Sequence, residues 1–516
     1  MHSNTLWGLG FAALCLLACG QSAEDSLSGG QSSSARTSPL RDDGDPEAVV
    51  GLRPFVRTQS DPFSTFSADV DSASYDIFRQ MVARNQLPAE STVRLEEYVN
   101  SFRYAYPPPA PGAPDPFSLS LALVNDPFYP NTALLRIGVQ ATQPPTFAKR
   151  PANLVFLVDV SGSMDSRDKL PLVKVTLQKA LERLDPGDKI SIVTYAGDTS
   201  LRLPPTPVAE RGRIARAIEE LQSGGSTAGA AGLDLAYAQV QAGWIEGGLN
   251  HVILCTDGDF NVGPSSTAEL VAQIEEKRRS GTTLTVAGFG VGLNDEMMEA
   301  ISNKGNGIYS VIYDEARASE YVQQELLSTL EHVAKDVKLQ VEFNPTHVLA
   351  YRQLGYDNRI LQDRQFDNDA IDAGEVGAGH QVTVLYQLVL QGQSIPEPAG
   401  APPVGDGESS TLPRTVAAGD LLQLKLRYKA PQAGENDAAR EMSTTLSAQI
   451  PPSPTADPDS AWAAALAVLA EHLKKSPYVA ADLRPALRER VGMLAGEDRK
   501  RIELRDLLGR LSTQPR

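Results

Sequence analysis

Cysteine is scarce in this chain, with three residues in 516. Cys15 and Cys19 lie near the N-terminus, and Cys255 lies inside the apolar stretch HVILCTDGD. This spacing excludes a disulfide-rich scaffold, which needs several closely spaced pairs. We therefore expect Cys255 to be a small buried hydrophobe. The 41% hydrophobic content is enough to supply a sizeable core.

Positive charge is also in short supply. Lys and Arg number 47 against 64 Asp and Glu, and the formal net charge is −17. Because nucleic acids and anionic membrane surfaces attract basic patches, neither is expected as the main partner. The short basic clusters at 277–279 and 499–501 are expected to be solvated faces of helices.

No segment after residue 20 is apolar over the ~20 residues that a membrane-spanning helix needs. An apolar stretch of about 13 residues begins at Leu6 and ends in the letters LLACG at 16–20. These letters resemble the lipobox of bacterial lipoproteins, in which the cysteine is acylated and becomes the mature N-terminus. The resemblance implies a lipoprotein signal over 1–19 and a lipid anchor on Cys19. It also implies a place in the bacterial cell envelope, on the outer membrane or periplasmic side, with an ordinary cleaved signal as the alternative.

Composition and apolar periodicity divide the rest of the chain into five regions. The region directly after Cys19 is rich in Ser, Gly and Asp and lacks the apolar periodicity of a core, so it is expected to be a flexible tether. The regions are a tether (20–61), an N-terminal flanking region (62–150), an α/β domain (151–332), a C-terminal β-rich flanking region (333–450) and a helical C-terminal region (451–516).

The fold of the central region follows from the alternation of its segments. Fully apolar strands such as NLVFLVDV alternate with amphipathic helices, the last of them predicted over 318–335. This pattern is typical of a doubly wound α/β fold with a mostly parallel sheet. Strand-like segments on both sides of it indicate that the two flanking regions form one discontinuous β-rich domain, since a compact unit can be nested within another.

Oxygen-bearing side chains cluster at the predicted carboxyl ends of these strands. Asp159 ends the first strand, and Ser161 and Ser163 follow in the loop. Thr227 lies at a helix start within GGSTAGAAG, and Asp257 ends the strand HVILCT. Ligands of open α/β sheets bind at this edge. Carboxylates and hydroxyls at this density favour a hard cation such as Mg²⁺, although each residue alone could be a cap or a turn former.

The set resembles the metal-ion-dependent adhesion site of von Willebrand factor type A (VWA) domains, whose pattern is Asp-x-Ser-x-Ser, then Thr, then Asp. All five positions are filled, by Asp159, Ser161, Ser163, Thr227 and Asp257. The resemblance implies that these residues hold Mg²⁺ or another divalent cation such as Mn²⁺ or Ca²⁺. It also implies an open coordination position that an Asp or Glu of a protein partner completes.

Further stretches extend the resemblance to nearly the whole chain. DPFSTFSADVDSASYDIFRQMVARNQLP, VRLEEYVNSFRYAYP and AKDVKLQVEFNP are similar to segments of bacterial VWA lipoproteins of the YfbK type. Asp71, in the first stretch, is expected to start a helix, with a second metal site as the alternative. The acidic stretch QDRQFDNDAIDAG is expected to be a solvated loop, because it lacks the glycine position and the terminal Glu of an EF-hand calcium loop.

Signatures of common hydrolases and metalloenzymes are missing. The chain has no G-x-S-x-G elbow, no H-E-x-x-H, no Walker loop and no C-x-x-C pair, and none of its six histidines neighbours Ser161 or Ser163 in sequence. We therefore expect a binding module with no small-molecule substrate and no catalytic residue. The alternatives are a scaffold or chaperone-like subunit of an envelope complex and a hydrolase with Ser161 or Ser163 as nucleophile.

Overall fold

The computed structural model describes most of the chain beyond its N-terminal segment. The described residues are 52–143, 150–225, 229–258, 267–279, 281–326, 331–408, 410–434, 437–480 and 482–511. They belong to one compact unit, Pro46–Arg516. Within these ranges, no helix combines the length and the apolarity that crossing a membrane requires.

The segment before the α/β region contributes strands and helices to two different layers. They are β1 (Val56–Arg57), β2 (Phe63–Ser67), α1 (Ala73–Ala83), α2 (Leu95–Asn100), β3 (Phe117–Asn125) and β4 (Ala133–Ala141). Strand β1 pairs with residues 350–351, and Phe55 beside it is 1% exposed. The predicted flexible tether therefore does not extend to Asp61, because the chain is already buried and paired at Phe55.

The α/β region is built on a six-stranded sheet. Its elements are β5 (Ala152–Asp159), α3 (Leu170–Arg183), β6 (Lys189–Tyr195), β7 (Thr199–Pro207), α4 (Arg211–Glu219), α5 (Gly229–Ala242), β8 (Leu249–Thr256), α6 (Thr267–Arg279), β9 (Thr283–Phe289), α7 (Asp295–Lys304), β10 (Tyr309–Ile312) and α8 (Glu315–Glu320). The strand order is β10-β9-β8-β5-β6-β7, and all pairs are parallel except β6 with β7. The expected mostly parallel sheet is therefore confirmed.

Side chains of the central strand β5 enter two separate cores. Leu154 and Phe156 pack in a cluster that also contains Leu177 of α3. Val155 and Leu157 pack in another cluster, which contains Leu233 of α5. Because successive residues of a strand face opposite sides, helices cover both faces of the sheet, and the doubly wound fold is confirmed.

The helix predicted over 318–335 is wrong from His332 onward, while residues 327–330 lie outside the described residues. Helix α8 is followed by a π-helical turn at Tyr321–Glu325, and strand β11 begins at His332 and ends at Phe343. Ala334, near the end of the predicted helix, lies on this strand and is buried in a β-sheet core, so strand pairing outweighs the helical periodicity there. Strand β7 and helix α4 were not predicted. Strand β7 contains prolines, which are tolerated here because β7 lies at the sheet edge.

The flanking regions form two antiparallel sheets with a shared core. The remaining strands are β12 (Val348–Leu354), β13 (Ile360–Leu361), β14 (Gly374–Gly377), β15 (Gln381–Leu390), β16 (Asp420–Lys429) and β17 (Arg440–Ser447). One sheet has the order β1-β12-β15-β4-β3, and the other has the order β13-β2-β11-β16-β17. Each sheet combines strands from before and after the α/β region, which confirms the pairing predicted between the two flanking regions.

Three C-terminal helices complete the described fold. They are α9 (Pro458–Leu473), α10 (Arg484–Leu494) and α11 (Arg499–Leu511). Their apolar residues share a core with α1 and α2, in which Trp462 is fully buried. Arg501 lies 4.7 Å from the centre of the Trp462 ring, and Arg278 of the other basic cluster pairs with Asp372. The expectation that the basic clusters are merely solvated is therefore wrong at these two residues.

Helix α1 of the flanking region packs against the edge of the α/β sheet. Ala73 lies in the same core as Val311 of β10, and the amide of Tyr309 donates to Asp71 Oδ1 at 3.1 Å. Asp71 also contacts Arg359. The expectation that Asp71 starts a helix is therefore wrong, because α1 begins at Ala73 after Ser72, and the Asp71 carboxylate pairs with the sheet edge and an arginine.

Candidate metal site

Asp159 is the last residue of β5, the central strand, and it is 0% exposed. Its Oδ1 accepts the amide of Ser161 at 2.8 Å. Its Oδ2 accepts the hydroxyl of Tyr195 at 3.2 Å and that of Thr256 at 3.3 Å. Tyr195 ends β6 and Thr256 ends β8, so the two neighbouring strands fix this carboxylate at the carboxyl edge of the sheet.

The loop after β5 presents two serine hydroxyls beside it. Ser161 is 1% exposed, Ser163 is exposed, and their Oγ atoms are 3.0 Å apart. Neither hydroxyl caps the short 3-10 turn at Gly162–Asp165. The loop is held from the other side, because the amide of Gly162 donates to the carbonyl of Gly225. The serines are therefore positioned by the backbone, and their hydroxyls are not consumed in forming the turn.

Asp257 follows β8 and completes the acidic part of the site. Its side chain is 1% exposed, and its Oδ2 accepts Lys169 Nζ at 2.8 Å. Gly258, with φ of +96°, turns the chain so closely that an added Cβ would lie 2.6 Å from the amide nitrogen of Asn294. This turn requires glycine, and it keeps Asp257 next to the end of β8.

The carboxylates of Asp159 and Asp257 repel each other when both are ionised. Burial raises the pKa of Asp159, and the nearby charge of Asp257 raises it further, although hydrogen bonds from Ser161 oppose the shift. Burial and the charge of Asp159 also hold the pKa of Tyr195 well above its ordinary value, so Tyr195 remains a neutral donor. A bound cation would favour the ionised form of both acids.

The donor set fits a hard divalent cation. All the donors are oxygen atoms, of the carboxylate and hydroxyl types that Mg²⁺ and Ca²⁺ prefer. The ammonium of Lys169 already lies among them, at Asp257 Oδ2 and at the Ser163 carbonyl, so this position accepts positive charge. Asp159, Ser161, Ser163 and Asp257 come together at one edge, whereas Thr227 and Cys19 lie outside the described residues.

The contacts of the serine hydroxyls bear on the hydrolase alternative. Ser161 Oγ contacts the hydroxyl of Ser163 rather than a histidine. His251, the histidine on β8, lies near the start of that strand and contacts Thr283. The serine loop and this histidine thus lie towards opposite ends of the sheet.

Sequence reasoning missed a second acidic group. Side-chain oxygens of Asp336, Asp372 and Glu375 lie within 4.8 Å of one another. Asp336 pairs with Lys429 and Asp372 pairs with Arg278, so two basic residues offset much of the charge. The stretch QDRQFDNDAIDAG is therefore not simply a solvated loop, and its Asp363 is 5% exposed. No spacing in the sequence indicated this group, because β11 brings Asp336 from a distant segment.

Comparisons with known proteins agree with this architecture. Family models match residues 48–136 (von Willebrand factor), 153–325 (von Willebrand factor type A domain) and 328–512 (Uncharacterized protein YfbK, C-terminal). The uncharacterized protein YfbK of Escherichia coli K12 is 38% identical over 440 residues, which are 83% of this chain and 73% of that protein. The uncharacterized protein sll0103 of Synechocystis is 24% identical over 63% of this chain and 72% of its own length.

A solved structure of a von Willebrand factor type A protein from Catenulispora acidiphila also matches. It covers 74% of this chain and 85% of that one, at 18% identity and a TM-score of 0.41.

Proposed function

Because this chain belongs to the YfbK family of von Willebrand factor type A domain proteins, we propose that it is an envelope-anchored binding protein. VWA domains generally mediate protein–protein interactions. In the proposed mode, Asp159, Ser161, Ser163, Thr227 and Asp257 hold a divalent cation, and an Asp or Glu of a protein partner completes its coordination. Mg²⁺ is the proposed ion, and Mn²⁺ and Ca²⁺ are the alternatives.

The observation that carries this proposal is the convergence at the end of β5. Asp159 is fully buried, yet it lies at the same edge of the sheet as Ser163, which is exposed. When bound, the ion supplies a positive centre that attracts a carboxylate. Asp159 and Asp257 supply the negative charge that retains it, while Tyr195 and Thr256 orient Asp159 by hydrogen bonds. The serine hydroxyls are neutral donors, which leave the positive centre able to accept another anion.

The anchor and the location belong to the same proposal. Acylation of Cys19 would attach the mature chain to a membrane of the bacterial cell envelope, on the outer membrane or periplasmic side. The support is the sequence LLACG at 16–20.

A scaffold or chaperone-like role is the second candidate. It is supported by ion pairs that join the α/β domain to the other regions, such as Arg94 of the flanking region with Asp295 on α7 at 2.6 Å and Lys500 of α11 with Glu320 on α8 at 3.2 Å. A binding role at the metal site predicts loss of partner capture when the site is disabled, whereas a scaffold role predicts that capture is retained.

The test is metal binding and partner capture by Asp159→Asn. This variant keeps the shape of the side chain and removes its charge, so we expect the fold to persist and Mg²⁺ binding by calorimetry to be lost. Asp198→Asn, an exposed residue between β6 and β7 at the same edge, is the matched control. A pull-down from envelope extract, with and without a chelator, should show the same loss of capture. Unchanged Mg²⁺ affinity in Asp159→Asn would reject the proposal.

A further inference from the structure

Lys169 joins two of the loops that form the candidate site. It is the residue immediately before α3. Its Nζ lies 2.8 Å from Asp257 Oδ2 and 3.1 Å from the carbonyl oxygen of Ser163. Its side chain is 18% exposed. The ammonium group therefore contacts both the loop after β5 and the loop after β8.

The flanking region helps to hold the lysine in this position. The aliphatic stem passes against Gly290, where an added Cβ would lie 2.8 Å from Cε and 3.0 Å from Cγ of Lys169. The carbonyl of Gly290 accepts Gln80 Nε2 at 2.7 Å, and Gln80 lies on α1 and is 5% exposed. The buried side chain of Gln80 thus fixes the backbone of Gly290, and the Lys169 stem packs on this backbone.

The Asp257 carboxylate needs a positively charged partner whether or not a divalent ion is bound. A carboxylate with 1% exposure is costly to ionise without a nearby cation. Lys169 is such a cation, and a divalent ion held by Asp159, Ser161 and Ser163 would be another. Both cannot lie against the same carboxylate without repelling each other, because like charges a few ångströms apart interact strongly away from bulk water.

We propose that Lys169 is a built-in competitor of the divalent ion, which neutralises Asp257 when no ion is bound and gives up this contact when one binds. This inference rests on the proposed function, because it concerns the same site. Its consequence is twofold. Lys169 weakens the affinity for the metal, and it protects the fold when the metal is absent. The partner would then be bound only above a threshold concentration of divalent ion.

The test compares the full chain with Lys169→Met and Lys169→Gln. Methionine retains most of the stem, and glutamine retains a hydrogen-bond donor in case the first variant folds poorly. Lys174→Met is the matched control, because Lys174 lies on the same helix and its Nζ contacts the carbonyl of Glu219 away from the site. We expect both Lys169 variants to bind Mg²⁺ about tenfold more tightly in calorimetry, equivalent to about 1.4 kcal/mol. Lys174→Met should bind Mg²⁺ as the unmodified chain does.

Melting curves supply an independent readout. In a chelator, the Lys169 variants should melt at a lower temperature than the unmodified chain, because the buried Asp257 carboxylate has lost its contact with the Lys169 ammonium. Excess Mg²⁺ should remove this deficit, giving the variants the larger metal-induced rise in melting temperature. A merely structural lysine would produce a deficit that Mg²⁺ does not repair, and that result would overturn the inference.

The outcomes separate this inference from the proposed function. If the unmodified chain binds Mg²⁺ and both Lys169 variants bind it equally well or more weakly, the competition is rejected and the metal site stands. If neither the unmodified chain nor any variant binds Mg²⁺, both the metal site and the competition are rejected.

Discussion

Arg317 of α8 and Asp76 of α1 form an ion pair in which both side chains are 2% exposed, with Arg317 Nη2 2.9 Å from Asp76 Oδ2. The pair joins α8 of the α/β domain to α1, which precedes this domain in the chain. Glu325, in the π-helical turn after α8, accepts from the same arginine. The end of the α/β domain is thus fixed to the flanking region by buried charges.

Removing this arginine should destabilise the protein strongly. We expect Arg317→Leu to lower the free energy of unfolding by about 3–5 kcal/mol, because it removes the buried cation that lies against the carboxylates of Asp76 and Glu325. Arg213→Leu is the control, since its pair with Glu210 has side chains 50% and 49% exposed, and exposed pairs contribute about 0–1 kcal/mol. Urea unfolding followed by circular dichroism measures both. If the two variants lose similar amounts of unfolding free energy, burial of the Arg317–Asp76 pair does not determine its contribution to stability.

Glu96 should make stability depend on pH. It is 3% exposed, and burial, assisted by the charge of Asp357, raises its pKa from 4.5 to about 7. Between these pH values the folded chain holds a proton that the unfolded chain has released, so this residue makes stability fall as pH rises. Glu96→Gln removes the effect. The free energy of unfolding of Glu96→Gln minus that of the unmodified chain should therefore increase by about 3 kcal/mol between pH 4 and pH 8.

Measuring this difference at each pH by urea unfolding cancels the contributions of other acids. Glu90→Gln, a change at an exposed residue, serves as the control for the assay. A constant difference between Glu96→Gln and the unmodified chain over this pH range would show that Glu96 does not retain its proton.

Apart from β7 and α4, the order of strands and helices in the α/β domain could be predicted because each buried strand is a continuous apolar run. The errors arose where tertiary contacts outweigh local pattern. The end of the helix predicted over 318–335 has helical periodicity, but Ala334 lies on β11 and is buried in the core of the two sheets. Likewise, Asp71 precedes a helical pattern and is expected to start the helix, but its carboxylate accepts a distant amide, that of Tyr309, and α1 begins at Ala73.

Part of the candidate site could be predicted from the sequence, because oxygen-bearing side chains in this order are typical of a site for a divalent cation. Asp159, Ser161 and Ser163 lie within one loop, and β8 must bring Asp257 to the same edge. Lys169 could not be identified from spacing, since a lysine at the start of an amphipathic helix is ordinarily solvated. Its position depends on the close approach of Gly290, which follows a different strand.

Cys19 provides a test of the proposed anchor. The sequence LLACG at 16–20 predicts that this cysteine is acylated after removal of the preceding residues. Metabolic labelling with a palmitate analogue should mark the unmodified chain and not Cys19→Ser. Cys15→Ser is the matched control and should retain the label. Equal labelling of Cys19→Ser and the unmodified chain would rule out acylation at this residue.

Tyr195 should support metal binding without contacting the partner. Its hydroxyl donates to Asp159 Oδ2 at 3.2 Å, and groups that orient a metal ligand typically change metal affinity by about 10–100-fold. We expect Tyr195→Phe to weaken Mg²⁺ binding by about tenfold in calorimetry. Tyr237→Phe is the control, because Tyr237 is also buried in this domain and its hydroxyl has no hydrogen-bond partner among the described residues. Equal Mg²⁺ affinities in the two variants would show that Asp159 is oriented without Tyr195.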